Sequence, residues 1–307
     1  MSASARWRRI DRRERRAVTS SLLIEQLLNG VQFGVMLFLM SAGLTLVFGI
    51  MNFINLAHGS LYMIGAFAGA ATQAATGSFL LAVVAAPLAG AVAGLALERG
   101  LFQRFYARDH LDQVLVTFGT ILALNEATRI VFGLTPLRMN LPDALAGHVE
   151  IIPGVPYPTF RLVILGVGLA VAALLYVVIM RTRIGMWVRA GASDRPIASA
   201  MGVNVPLVFA ALFGVGAALA GLAGVMAGPI LSVQVGMGEP ILILALVVTV
   251  IGGIGSIRGA FVAALLVGIV DTFGRILLTP ALGGMAIFMM MAAILAFRPK
   301  GLFPAHG

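Results

Sequence analysis

The segment NFINLAHG, residues 52–59, sets two asparagines and a histidine three residues apart inside a long apolar run. Asn52, Asn55 and His58 are neutral at neutral pH or nearly so, and each can donate and accept hydrogen bonds. On a helix they would share one face. At a break in a helix they could instead satisfy freed backbone groups, which survive at membrane depth only when buried in protein or lining a wet cavity. Two readings follow and both stay open: a substrate pathway lined by short polar groups, or a structural clamp on the backbone. Gly59 and Ser60 read as the restart of the next helix. Gln234 and Glu239, in SVQVGMGEPILI, fall between two apolar runs; they either face an incoming substrate or belong to a solvated turn.

Other ionisable groups at depth are few. Glu126 and Arg129 lie three apart, and Asp271 and Arg275 four apart, which are helical ion-pair spacings. Charge inside a membrane is expensive and usually functional, but these pairs compensate themselves near the ends of their segments. They read as structural.

The elements that must position these groups are set by composition. The chain has 307 residues, of which 60% are hydrophobic and 11% charged, and its mean hydropathy is +1.02. A soluble chain of this length cannot bury that much apolar surface, so lipid is its natural solvent. The 37 glycines suit close helix approach in a membrane. Cysteine is absent, which excludes thiol chemistry and thiolate metal sites. No histidine pair has metal-ligand spacing, no phosphate-binding G-x-x-x-x-G-K-[ST] motif occurs and no G-x-S-x-G elbow occurs. No metal, cofactor or catalytic residue is expected, and any ATP hydrolysis belongs to partners.

The expected fold is all-α: a polytopic transmembrane bundle of about 8–10 spans. A span needs about 20 apolar residues. Runs at 79–97, 114–133, 161–180, 207–228 and 259–278 meet that length, with shorter ones at 59–76, 240–256 and 283–297. The run 22–51 must cross twice, or dip and return, with Gly30, Gly34, Gly43 and Gly49 offering places to bend or break. Arginines set the orientation, because cytoplasmic loops collect them. Residues 1–20 form a basic arm, with seven arginines among its first 16 residues. A cytoplasmic anchor explains it better than nucleic-acid binding. Arg99, Arg104 and Arg108, then Arg181, Arg183, Arg189 and Arg195, and finally Arg298 and Lys300 mark further cytoplasmic segments. Both termini are thus expected in the cytoplasm, which requires an even number of crossings before residue 98.

Residues 21–304 form the membrane domain, and the loop at about 181–206 is its most informative soluble piece. Ser193 or Asp194 can cap a helix, Pro196 suits its first turn and Gly202 its stop. A two-turn helix over roughly 195–201 follows, with Ile197, Ala198 and Met201 on one side. Alone it would be marginal. It is either a handle gripped by an energy-coupling partner, using Asp194, Arg195, Pro196, Ala198, Met201 and Gly202, or a plain connection.

GIMNFINLAHGSLYMIGAFAGA, RAGASDRPIASAMGVNV, VIGGIGSIRGAFVAALLVGIVD and FRPKGLFP together resemble ABC-importer permeases of the branched-chain amino acid type, from about residue 22 to 304. The first motif resembles the LivH-like subunit rather than its LivM-like sister, whose corresponding segment lacks the asparagine pair. The resemblance implies a multi-pass protein of the bacterial inner membrane. It also implies a LivM-like sister permease, two ABC ATPase subunits and a periplasmic or lipid-anchored solute-binding protein. It carries Asn55, Ala57, His58 and Gly59 over as motif residues, and Ala198 and Gly202 as residues of the ATPase loop. The same architecture moving urea, an amide or an aromatic acid is the alternative; an ion-coupled secondary transporter is a weaker one.

Overall fold

The computed structural model describes residues 3–152 and 155–303; the side chains of residues 3–21, 152–155 and 280–281 lie outside the described residues, and with them those of the arginine-rich arm expected at 1–20. Among the described residues, α1 (Ala3–Met51), α2 (His58–Thr76), α3 (Phe79–Gly100) and α4 (His110–Phe132) come first. A short turn, α5 (Asp143–Ala146), and an antiparallel hairpin of β1 (His148–Ile152) and β2 (Val155–Pro158) follow. Then come α6 (Thr159–Arg181), α7 (Arg183–Ser193), α8 (Arg195–Ala200) and α9 (Val205–Ala227). The chain closes with α10 (Gly238–Gly252), α11 (Ile257–Leu277) and α12 (Pro280–Phe297). Apart from the hairpin the fold is all-α.

Six of these helices are long and apolar enough to cross a membrane, and α10 and α12 add shorter apolar ones. α1 and α9 form the centre: their apolar windows are 78% and 61% buried, against 22% for α3 and α4 and 17% for α6. The outer helices turn Leu80, Leu88 and Val92, then Leu111, Leu115, Leu122 and Ile130, away from the protein. A bundle whose outer surface is this apolar is solvated by lipid.

Run 22–51 corrects an expectation. It neither crosses twice nor dips; it is part of one continuous helix. Leu22–Met51 is 30 residues long, about 45 Å at 1.5 Å per residue, enough for one tilted crossing. Its glycines are contact points, not breaks. A Cβ on Gly34 would meet the Ala264 carbonyl at 2.7 Å, and one on Gly43 the Gly216 carbonyl at 2.6 Å. Gly30 lies against α11 and Gly49 against Gly255 in the same way.

The ends of α1 fix its direction. Near the start of its apolar run Leu22–Met51, the Arg161 guanidinium at the head of α6 donates to the Asn29 amide oxygen. At its finish, Arg195 of α8 donates to the Met51 carbonyl at 2.6 Å. α2 runs the other way, since Gln73 near its end donates to the Asn140 carbonyl in the loop before α6. α3 then returns to the α8 end. Three helices, not an even number, separate residue 22 from the 98–113 loop. The two lie at opposite ends of the bundle, whereas an even number of crossings would bring them to the same end.

Candidate functional site

α1 stops at Asn52, which adopts the left-handed conformation at φ 53°. Asparagine tolerates that region better than other side-chain-bearing residues and commonly ends helices there. Asn52 is exposed, whereas Asn55 and His58 are each 1% exposed. Because 52–57 is not helical, the single face expected for all three does not form. Asn52 is a helix stop, and only Asn55 and His58 enter the core.

The break climbs back into the bundle. A Cβ added to Gly43 would meet His58 Nε2 at 2.9 Å, and the same glycine faces Gly216. Gly216 is the middle residue of α9 (205–227). α2 therefore begins near mid-depth. α10 begins beside it: a Cβ on Gly59 would meet the Gly238 carbonyl at 2.7 Å, and the Gly236 amide approaches the Met63 sulfur at 3.4 Å. Neither start has a side-chain cap; Ala57 and Met237 occupy the N-cap positions. Two helix N-termini thus meet inside the protein, each carrying partial positive charge.

Both polar atoms of the Asn55 side chain lack a hydrogen-bond partner, as does the nearby Tyr62 hydroxyl, and the His58 imidazole has only the Met40 backbone beside it, too loosely placed for a regular hydrogen bond. A clamp would spend these groups on the freed backbone. That work falls to other residues: Ile54 N–H donates to Gln113 Oε1 at 3.1 Å, and the Met51 carbonyl accepts from Arg195. Of the remaining pathway candidates, Gly59 lies at the junction. Glu239, half-buried on the first turn of α10, accepts from Asn125 Nδ2 at 2.6 Å. Gln234 is exposed in the loop before α10.

The second group of candidates assembles around α8, beside the same end of α1. α8 spans Arg195–Ala200, slightly shorter than expected, and Asp194 rather than Ser193 caps it, its Oδ1 accepting from Ile197 N–H at 2.9 Å. Pro196 lies in the first turn. Gly202 has φ 87°, and the amides of Gly202 and Val203 close the helix on Ser199 and Ala198. The expected common side for Ile197, Ala198 and Met201 is not found: Ala198 is buried, whereas Ile197 is 59% and Met201 80% exposed. Arg195 points inward, 4.8 Å above the Phe209 ring.

A cavity of about 470 Å³ lies beside α8, lined by Glu98, Tyr106, Arg195, Pro196, Val205 and Phe209 among others. Glu98 is fully buried there and accepts from Gln103 and Tyr106 at 3.0 and 2.9 Å. Burial, then the Glu98 carboxylate, hold the Tyr106 phenol well above its ordinary pKa. Nothing local to Glu98, Tyr106 or Gln113 singles them out in the sequence; each is polar, but its partners are set by folding.

The two ion pairs form. Asp271, buried, accepts from Arg275 Nε at 2.9 Å. Glu126 and Arg129 are 3.5 Å apart with both side chains more than half exposed. A pair so exposed contributes little. Glu126→Gln is expected to change stability by less than about 1 kcal/mol, read as an unchanged thermal midpoint in detergent.

Central helices of backbone-to-backbone contact, a lipid-facing shell and a polar core where two interrupted helices meet define a polytopic membrane protein of the transport type. Residues 26–295 match the family described as "Branched-chain amino acid transport system / permease component", and the chain belongs to that family. It is 30% identical over 293 residues to the high-affinity branched-chain amino acid transport system permease protein BraD of Pseudomonas aeruginosa, covering 91% of this chain and 95% of that one. It is 29% identical over 300 residues to the permease protein LivH of Escherichia coli K12, covering 91% and 94%. A probable LivH of Methanocaldococcus jannaschii is 25% identical over 286 residues. No solved structure matches.

Proposed function

We propose that this chain is a permease subunit of an ATP-driven importer for branched-chain amino acids. It works with a LivM-like sister permease, two cytoplasmic ATPases and a periplasmic or lipid-anchored solute-binding protein, in the bacterial inner membrane. The names of BraD and LivH supply the substrate class. The observation that carries the reading is the meeting of α2 and α10 at mid-depth, with Asn55 and His58 unpartnered beside it.

A branched-chain amino acid is a zwitterion on an apolar stem. It needs a mostly apolar route and a few neutral groups that hydrogen-bond without trapping it. Interrupted helices in membrane transporters use their N-termini for anionic groups, and here a carboxylate would find that of α2, since the first turn of α10 already holds Glu239. An ion-coupled transporter would instead want a lone carboxylate at depth. Glu126 and Asp271 both have arginine partners, and Glu239, on the first turn of α10, is held by the Asn125 amide.

The α8 end carries Arg99, Arg104, Arg108, Arg181, Arg183 and Arg189, and this concentration of basic residues supports a cytoplasmic location for it. There α8 is the handle for the ATPases, presenting Ile197 and Met201 outward. Gly202→Val tests this. A β-branched residue at φ 87° is strained by about 1–2 kcal/mol, while no heavy atom lies within 4 Å to clash. The variant should insert and accumulate normally, yet retain less ATPase on purification and lose most leucine uptake. Undiminished ATPase retention would reject the handle. Leucine carriage by this chain alone in liposomes would reject the importer reading as a whole.

A further inference from the structure

The break between α1 and α2 is held from two sides. Gln113, buried at the head of α4, accepts from Ile54 N–H and donates to the Phe105 and Arg108 carbonyls at 3.3 and 3.2 Å. That tie belongs to the α3–α4 connection. The other tie belongs to α8: Arg195 Nη2 donates to the carbonyl of Met51, the last residue of α1. Met51 is itself buried, and Asn52 immediately after it carries the left-handed turn.

We propose that Arg195 is the positioning residue through which a displacement of α8 reaches the Asn52–Ala57 break, and hence Asn55 and His58. The inference rests on the reading of α8 as the ATPase handle and adds the link that makes a pull on it useful. Three features fit that task. A guanidinium has donors enough to hold a carbonyl while its plane stacks on an aromatic ring, and Arg195 does both, with Met51 and Phe209. A two-point hold transmits push as well as pull.

The cavity of about 470 Å³ beside Arg195 and Pro196 gives α8 room to move without overlapping its neighbours; a close-packed surround would resist any shift. The Asn52 turn sits where that shift arrives. A residue held in a sparsely populated backbone region is a natural place for a small rotation to be amplified, because the alternative conformation is the ordinary one. The Gln113 tie makes Ile54 a pivot, so movement of the Met51 carbonyl turns the break about it and carries Asn55, the next residue. His58 lies four residues beyond Ile54.

The test uses the complete importer in liposomes, with the loaded binding protein outside and labelled leucine as probe. The readout is leucine taken up per ATP hydrolysed. Arg195→Met keeps the length and the apolar packing but has no donor. It should retain the ATPases at the wild-type level and lower the ratio about tenfold, the loss expected for one hydrogen bond to a charged group. Arg195→Lys can still reach a carbonyl but does not stack as arginine does, and should fall between Met and wild type. A ratio unchanged in Arg195→Met overturns the proposal. So does loss of the ATPases in proportion to the loss of transport, because Arg195 would then be part of the grip and not the link. If Arg195→Met does not accumulate, Arg195→Lys decides, and wild-type coupling there overturns the proposal. Should the wild-type complex show no leucine-dependent hydrolysis, it is the importer reading that has failed instead.

Discussion

Gly221→Leu should remove nearly all folded protein from the membrane. Gly221 lies on α9 where α2 and α3 both reach it. A Cβ there would sit 2.5 Å from the Ala86 carbonyl of α3, and Gly65 of α2 meets the Gly221 backbone closely from the other side. Both obstacles are main chain, which no rotamer change can move. Lipid supplies no hydrophobic force between helices, so their association depends on such close approach. Overpacking a core costs about 1–3 kcal/mol and occasionally more; with two helices forced apart, the upper end is expected. Since about 1.4 kcal/mol is a tenfold change in an equilibrium, the monodisperse fraction in detergent should fall by roughly tenfold or more. Gly119→Leu and Gly166→Leu are the controls. Neither glycine has a heavy atom within 4 Å of an added Cβ, so the same change should leave the yield unaltered. Equal losses at all three positions would mean that leucine acts on insertion and not on packing.

That contrast shows why part of the fold was legible and part was not. Apolar length and arginine placement are local or additive signals, and they marked out α3, α4, α6, α9 and α11 to within a few residues. The glycines of α1 carry an ambiguous signal. Taken alone, Gly30, Gly34, Gly43 and Gly49 lower helix propensity. What decides their meaning is whether another backbone lies opposite, as those of Ala264 and Gly216 do. No property of residues 22–51 states that, so one continuous helix reads in the sequence as two or as a dip. α8 was legible because capping is local: Asp194, Pro196 and Gly202 lie within nine residues. Its orientation was not, and Ala198 faces inward while Ile197 and Met201 face out.

The candidate site divides along the same line. Asn55 and His58 stood out as polar groups in an apolar run. Their lack of partners did not, because Gln113 and Arg195 take over the backbone of the break from 59 and 144 residues away in sequence. Gly59 and Gly238, which bring two helix starts together, are 179 residues apart, as 238 − 59 gives. Spacing within a segment shows what a break needs. Only the fold shows which residue supplies it and which is left over for something else.

What is left over leads to a sharp expectation for Asn55→Leu and His58→Leu. A buried polar group without a partner costs about 1–3 kcal/mol of stability, and both side chains are in that position here. Replacing either by leucine, of similar bulk, removes an unmet need for hydrogen bonds and gives up at most the loose contact of His58 with the Met40 backbone. The accumulated protein and its thermal midpoint should therefore stay level or rise, by up to about 4–8 °C for 1 kcal/mol in a small domain and less in a chain this long. Leucine uptake by the complete importer should fall about tenfold or more, since the zwitterion would lose a polar partner on an otherwise apolar route, and a desolvated polar group left unpaired is disfavoured on that scale. Stability up and transport down is the signature of a group kept for function at the cost of fold stability. The opposite pattern, destabilisation of the chain with uptake per folded molecule intact, would return Asn55 and His58 to the role of clamp.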